Sequence, residues 1–374
     1  MESRDVNHWD VLIIGGGPSG LLAAVALRRI SNFSVCILEK STHLRQRVGE
    51  ILPPSIVEPL STLGLWDSFL DTRPTESAGV SVWWGDSHRY DWDYIRVPYG
   101  RGWHIDRKSF EAMLEQASNA LGVVVLRGWK ATNIEINQHG PTSVIAGVKN
   151  GIKSLFSAKY VIDARGRSPS GLGKNSSWIK IDHLVGLTRY YQQNHALQSE
   201  PRLWIESGNR GWWYSAPIPN DLFIATYMTD SDCCDRPISQ CFYSSLNITT
   251  IMKDRICENH NSSQVFVTPA HSGRIEHFVS GNMIAIGDAA YSTDPANGHG
   301  LLNASHHAIA AAKAIVESHA GNSQSLIEYD AQLTEEWKEY LIGRTRHYQT
   351  EARWSSNPFW SRRINAFNNG TSRK

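Results

Sequence analysis

Hydrophobic positions near the start of the chain change period twice within thirty residues. Residues 10–14 end in the apolar run Val11 to Ile14, residues 19–30 place Leu21, Leu22, Val25 and Ala26 at helical spacing, and residues 34–38 form a second short apolar run. That order predicts a buried strand, an amphipathic helix and another strand, a βαβ unit. Further on, residues 78–84, 92–97, 123–126, 132–136 and 142–148 are short β-like runs divided by Gly, Asp and Pro. Residues 109–121 return to a helical period behind Asp106, a side chain suited to capping. A second β-rich stretch covers about 187–228, residues 283–286 read as a buried strand, and 301–319 and 325–341 read as helices. No internal repeat or low-complexity tract interrupts the pattern.

The fold class that follows is α/β. A Rossmann-like dinucleotide domain is expected from residues 1–75, 100–175 and 270–330, with a mainly β substrate domain from 76–99 and 176–269 inserted into it. Residues 331–374 are expected to close the chain as a helical segment.

Composition narrows the possible partners. The chain has 374 residues, 41% of them hydrophobic, with 37 Lys plus Arg against 36 Asp plus Glu. A core is affordable, while a net charge of +1 offers no general attraction to nucleic acid or to an anionic membrane. Glu2, Arg4 and Asp5 precede an apolar run too short for a secretory signal, and no stretch is apolar for long enough to span a bilayer. The five cysteines, Cys36, Cys233, Cys234, Cys241 and Cys257, are odd in number and lack paired Cys-x-x-Cys spacing. A reducing, cytoplasmic setting without a bound metal is expected. Fourteen tryptophans are many for this length; Trp83, Trp84, Trp92, Trp103, Trp204, Trp212 and Trp213 are expected mainly as core or interface packing, with a few facing an aromatic substrate. From Arg344 onward, Arg344, Arg346, Arg353, Arg362, Arg363, Arg373 and Lys374 face one acid, Glu351, which predicts a solvated tail in preference to a docking surface.

Gly15, Gly17 and Gly20 stand at G-x-G-x-x-G spacing between the first strand and its helix. The first glycine permits the turn, the second admits a diphosphate to the backbone, and the third lets helix and strand approach. Free N–H groups around Ser19 and the positive end of the helix dipole suit that diphosphate. Glu39, followed by Lys40, ends the second strand 19 residues after Gly20, where a carboxylate accepts ribose hydroxyls.

Two later segments resemble the aromatic-hydroxylase superfamily of FAD enzymes. Ile286-Gly287-Asp288-Ala289-Ala290, then Asp294-Pro295 and Gly298-His299-Gly300, is similar to its second FAD signature. The resemblance implies that Asp288 holds the ribityl chain and that Pro295, Gly298, Gly300 and Leu301 lie near the isoalloxazine. Asp163-Ala164-Arg165-Gly166-Arg167 resembles the family's Asp-x-x-Gly-Arg segment, which assigns Asp163 and Gly166 to FAD, and Trp103 to Phe110 resembles the segment that brings Arg107 near the phosphates.

Arg47-Val48-Gly49-Glu50 resembles the flavin-dependent tryptophan halogenases and their relatives. The halogenases place a lysine in the strand that follows; here Val80-Ser81-Val82-Trp83-Trp84-Gly85 has none, and Tyr214-Ser215-Ala216-Pro217-Ile218-Pro219 replaces their Trp-x-Trp-x-Ile-Pro. Val-Gly-Glu, Gly211 to Pro217 and Asp294 to Gly300 together look most like the GoxB/LodB-type flavoproteins that mature cysteine tryptophylquinone enzymes. That resemblance implies FAD, dioxygen, an external electron donor (NAD(P)H or a reductase) and the precursor of a glycine or lysine oxidase as protein substrate. It directs attention to Glu50, Tyr214 and His299 as catalytic candidates: a carboxylate or imidazole moves an indole proton and a phenol orients the ring. Glu50 serving only the flavin or backbone, and His299 serving only the helix start, stay open. So do two other functions, hydroxylation or halogenation of a small aromatic substrate, and an FAD-containing chaperone for a precursor oxidase.

Overall fold

In the computed structural model, which describes residues 6–135, 143–167, 177–192, 200–234, 237–256 and 263–365, the strand Val6–Ile14 is flanked in parallel by Val35–Glu39 on one side and Ile152–Asp163 on the other. Val124–Arg127 and Met283–Ala285 extend this sheet outward, also in parallel. Val11, Leu12, Ile13, Ile37, Val161 and Ile284 are completely buried, as required of a parallel sheet covered on both faces. The helix Pro18–Ile30 packs between Arg107–Ala120 and Gly300–His319. Small residues make this closeness possible: Ala23, Ala24, Ala308, Ala311 and Ala312 are fully buried. The first helix, the N-terminal strand and the late helix therefore form one core although they lie far apart in sequence.

A second sheet has seven strands, in the order Phe266–Pro269, Leu184–Gln192, Leu222–Asp230, Gly211–Ile218, Arg202–Gly208, Gly79–Trp83 and Tyr90–Asp93. All neighbours are antiparallel except Arg202–Gly208 and Gly79–Trp83. Side chains alternate between its faces with period two. Trp212 and Tyr214 join Leu203, Ile224, Tyr348 and Trp360 on one face, whereas Trp213 joins Phe223, Tyr227 and Phe242 on the other, beneath the helices Ile238–Asn247 and Ile251–Ile256. This explains why every residue of Gly211–Ile218 is buried.

Several expectations hold closely. Asp106 caps Arg107–Ala120, its carboxylate accepting the Ser109 N–H at 3.0 Å. Trp83, Trp84, Trp103, Trp212 and Trp213 are buried. Others need correction. The β-run expected at 92–97 ends early: Tyr90–Asp93 is the strand, and Tyr94–Arg96 is a short 3₁₀ turn. Tyr94 turns inward, donating its N–H to Ala78 O at 3.0 Å, and Val97, held extended by the proline after it, ends the turn. The helix expected at 325–341 runs further, as Gln324–Gln349.

The basic C-terminal stretch is not a solvated tail. Arg344 and Arg363 are buried and bonded to Asp182 and Asp230 of the second sheet region, at 2.8 Å and 2.6 Å. Trp360 is sealed beside them in Pro358–Ile364. A local charge count cannot see acids that arrive from more than a hundred residues away. Arg373, Lys374 and Cys257 lie outside the described residues. Among the described residues no helix is long and apolar enough to cross a membrane. Asp230, Asp232 and Cys233 form the one metal-like grouping found there, but both carboxylates are engaged by Arg362 and Arg363.

Candidate active site

A cavity of about 770 Å³ opens between the two sheets. Gly15, Gly17, Ser19, Glu39, Lys40, Arg47, Glu50, Arg107, Gly166, Asp288, Pro295, Gly298, Gly300 and Leu301 line it from the first sheet and its loops. Tyr214 lines it from the second sheet, in an apolar wall with Leu203, Ile205, Trp212 and Met228. Three sequence candidates stand back from the cavity. Gly20 serves packing, since a Cβ there would fall 2.0 Å from Gly15 O. Asp163 lies behind the lining with both carboxylate oxygens bound by Arg165 at 2.9 and 2.6 Å. His299 is exposed at the start of Gly300–His319, between Gly298 and Gly300 of the lining.

The glycine turn has room for a diphosphate. A Cβ on Gly17 would meet nothing nearer than Arg47 Nη1 at 3.8 Å, and at Gly298 and Gly300 nothing lies within 4 Å. Neither Pro18–Ile30 nor Gly300–His319 has a side chain capping its N-terminus, so main-chain N–H groups are left for a ligand. Glu39 is fixed by two backbone donors: Gly16 N–H on Oε2 and Ser41 N–H on Oε1, each at 2.7 Å. Each oxygen keeps a lone pair for a ribose hydroxyl. An anionic dinucleotide fits this set of open backbone, fixed acid and the cations Arg47 and Lys40.

The turn at Gly287 is braced from behind. Its φ is +55°, and a Cβ would sit 2.1 Å from Ser19 Oγ, so glycine is required there. Gly287 N–H donates to His307 Nδ1 at 3.1 Å. With Nδ1 accepting, Nε2 carries the proton and faces Glu336 Oε2 at 3.2 Å, where Tyr291 also donates at 2.9 Å. Burial works against the Glu336 charge, but the hydrogen bonds from His307, Gln332 and Tyr291 hold its carboxyl down to about 2.

Glu50 is fully buried at the cavity wall. Its Oε1 accepts the Tyr190 hydroxyl and its Oε2 the Gly49 N–H, both at 2.6 Å. Burial raises its carboxyl to about 6, against the lowering effect of these bonds and of Arg107. Arg107 also holds the turn that presents Glu50: Nη1 donates to Val48 O at 2.8 Å and Nη2 to Glu111 Oε1 at 2.9 Å. That leaves Arg47 as the cation beside the glycine turn. Burial, then the Glu50 charge, push the Tyr214 phenol well above its ordinary range, so it stays protonated.

Tyr190, Trp129, Lys130, Arg167 and Trp212 also belong to the site or touch its lining. Arg167 bonds Asp288 Oδ2 at 3.1 Å, and Trp129 and Lys130 line the cavity on the Glu39 side, where Trp129 N–H donates to Glu39 O. Arg167 and Trp212 had a sequence signal, as members of the segments Asp163 to Arg167 and Gly211 to Pro217; Tyr190, Trp129 and Lys130 had none.

Comparison with known proteins agrees with this geometry. Residues 8–172 match the FAD binding domain family, and residues 95–372 match the family described as tryptophan halogenase. LodB of Marinomonas mediterranea, described as an FAD-dependent oxidoreductase, is 27% identical over 96% of this chain and 97% of its own. Among solved structures, the flavin-dependent halogenase CmlS superposes with a TM-score of 0.84 at 22% identity, covering 96% of this chain and 68% of that one. QhpG, a peptidyl tryptophan dihydroxylase essential for tryptophylquinone cofactor biogenesis, gives 0.74 at 18% identity, covering 96% and 79%. The cofactor of the cavity is FAD.

Proposed function

The chain belongs to the tryptophan halogenase family, and within it we propose a monooxygenase that hydroxylates a tryptophan of a precursor polypeptide during cysteine tryptophylquinone biogenesis of a glycine or lysine oxidase. The observation that carries this reading is the convergence of the buried Glu50 carboxylate and the Tyr214 phenol on an apolar wall of the FAD cavity. The likeness to LodB and QhpG supports it.

Bound FAD, once reduced by an external donor, supplies with dioxygen the oxygen atom that enters the substrate. For each C–H bond converted to C–OH, two electrons and two protons accompany the second oxygen atom into water. Arg47, Lys40 and the open glycine turn hold the diphosphate, Glu39 the ribose, and the braced Gly287–Asp288 turn the ribityl chain. Glu50 accepts the indole proton released as the ring is oxidised, because at neutral pH its carboxyl, near 6, is ionised yet basic. Tyr214 orients the ring, and Leu203, Ile205 and Met228 keep water from it.

Among the described residues the lysines lining the cavity are Lys40 and Lys130, both on the Glu39 side, and no lysine lines it beside Glu50. The match to the family described as tryptophan halogenase favours a second reading, hydroxylation or halogenation of a small aromatic compound. Coexpression with a precursor oxidase separates the two. Gain of one or more oxygen atoms on the precursor tryptophan, and a quinone absorption band, only when this protein is present support the first; an unchanged precursor with turnover of free indoles or phenols supports the second.

A further inference from the structure

Paired residues of neighbouring strands point to the same side of a sheet. From Tyr214 in the cavity wall the pairing runs to Ile205, then Val82, then Tyr90. A parallel row runs from Leu203 to Val80 and Trp92. Burial falls along both rows: Tyr214, Ile205 and Leu203 are buried, Val80 and Val82 half-buried, and Tyr90 and Trp92 are 55% and 64% exposed. The apolar wall of the cavity thus continues across the second sheet and surfaces on Tyr90–Asp93, the strand that ends the sheet order. Ile95, 83% exposed, extends the surface beyond it.

Among the described residues no strand pairs the outer edge of Tyr90–Asp93, and a strand edge with exposed aromatic residues invites another chain. Its acids do not guard it. Asp91 is bonded to Ser81 and Arg89, and Asp93 to Arg202, all within the protein. What remains for a partner is a strand edge and an apolar track leading to the site.

We propose that this edge docks the polypeptide bearing the target tryptophan, as an extended segment on Tyr90–Asp93 whose chain follows the track until its indole enters the cavity beside Tyr214. The proposal rests on the precursor-polypeptide reading above and adds where that polypeptide binds. Three strand spacings separate Tyr90 from Tyr214, about 14 Å, which an extended chain crosses in about four residues. A free amino acid is too short to touch both ends. Strand addition supplies main-chain hydrogen bonds, and Trp92 and Ile95 supply the apolar contact.

The test uses the FAD-loaded double variant Trp92→Ser/Ile95→Ser, whose substituted side chains are exposed and carry little of the fold. A fluorescein-labelled peptide centred on the modifiable tryptophan of a cysteine tryptophylquinone oxidase precursor is titrated by anisotropy, alongside modification of the coexpressed precursor. Binding weakened about tenfold or more and precursor modification reduced in parallel, with FAD content and flavin reduction unchanged, is the expected result. Equal peptide binding by variant and wild type, with the precursor still modified, removes the docking edge and leaves the proposed function standing. Failure of the wild-type protein to modify the precursor, with small indoles oxidised instead, overturns both. Should sedimentation show that wild type dimerises and the variant does not, with peptide binding unaffected, the occupant is a second copy and the proposal falls.

Discussion

The Tyr190 hydroxyl donates to Glu50 Oε1 across 2.6 Å, joining the second sheet to the loop that borders the flavin cavity. Glu50 is therefore set by two halves of the protein at once, its other oxygen being held by Gly49. Replacement by Gln removes the base while keeping the shape. Glu50→Gln is expected to retain FAD and lose about a hundredfold or more in turnover of the tryptophan substrate. FAD absorbance of the purified variant, set against product mass, checks both parts.

The pH dependence has a definite sign. Glu50 titrates near 6 in the folded protein, above its ordinary 4.5, so the active carboxylate is lost as pH falls through about 6. The same shift means that the folded chain binds this proton more tightly than the unfolded one. Protonation of Glu50 therefore adds stability as pH drops from above 6 towards 4.5, up to about 2 kcal/mol. Tyr190→Phe removes a bond that favours the charged form, and the acid limb of the rate profile should move up by about one pH unit. A limb that stays in place would show that Tyr190 does not control Glu50.

Two glycines three residues apart should fail differently. Gly17→Ala points a methyl into open space beside Arg47, so the apoprotein should melt as wild type while FAD affinity drops. Gly20→Ala drives a methyl against Gly15 O, and the apoprotein itself should be destabilised by about 1–3 kcal/mol. Melting of stripped protein with and without added FAD distinguishes them.

Arg363 and Asp230 form a buried pair joined by two hydrogen bonds, at 2.6 and 3.0 Å. Arg363→Met should cost about 3 kcal/mol in urea unfolding, because Asp230 is left in a buried site with only the half-exposed Arg362 beside it. Restoration of much of that loss by adding Asp230→Asn would identify the orphaned charge as the cause.

The parts of the site that were readable from the chain are those in which local backbone geometry dictates the residue. Gly15 and Gly17 next to a strand, Gly298 and Gly300 before a helix, and Asp106 as a cap each follow from a few adjacent positions. Tyr190 reaches Glu50 over a separation of 140 residues, and nothing in Leu-Thr-Arg-Tyr-Tyr-Gln marks one tyrosine as different from the next. The same limit hid Asp182 and Asp230 from the basic C-terminal stretch. Resemblance pointed to Glu50 and Tyr214, which both line the cavity, and to His299, which stands between its lining residues Gly298 and Gly300.

The order of strands in the flavin half has a consequence for synthesis. Val6–Ile14 leaves the ribosome well before its neighbour Ile152–Asp163, and Met283–Ala285 completes that side of the sheet later again. The helix Gly300–His319 that covers Pro18–Ile30 emerges later still. FAD thus has no finished cradle on a nascent chain that still lacks Gly300–His319. Loading of the cofactor is therefore expected late in synthesis, with the apolar strand Val6–Ile14 lacking its sheet partner until Ile152–Asp163 is made.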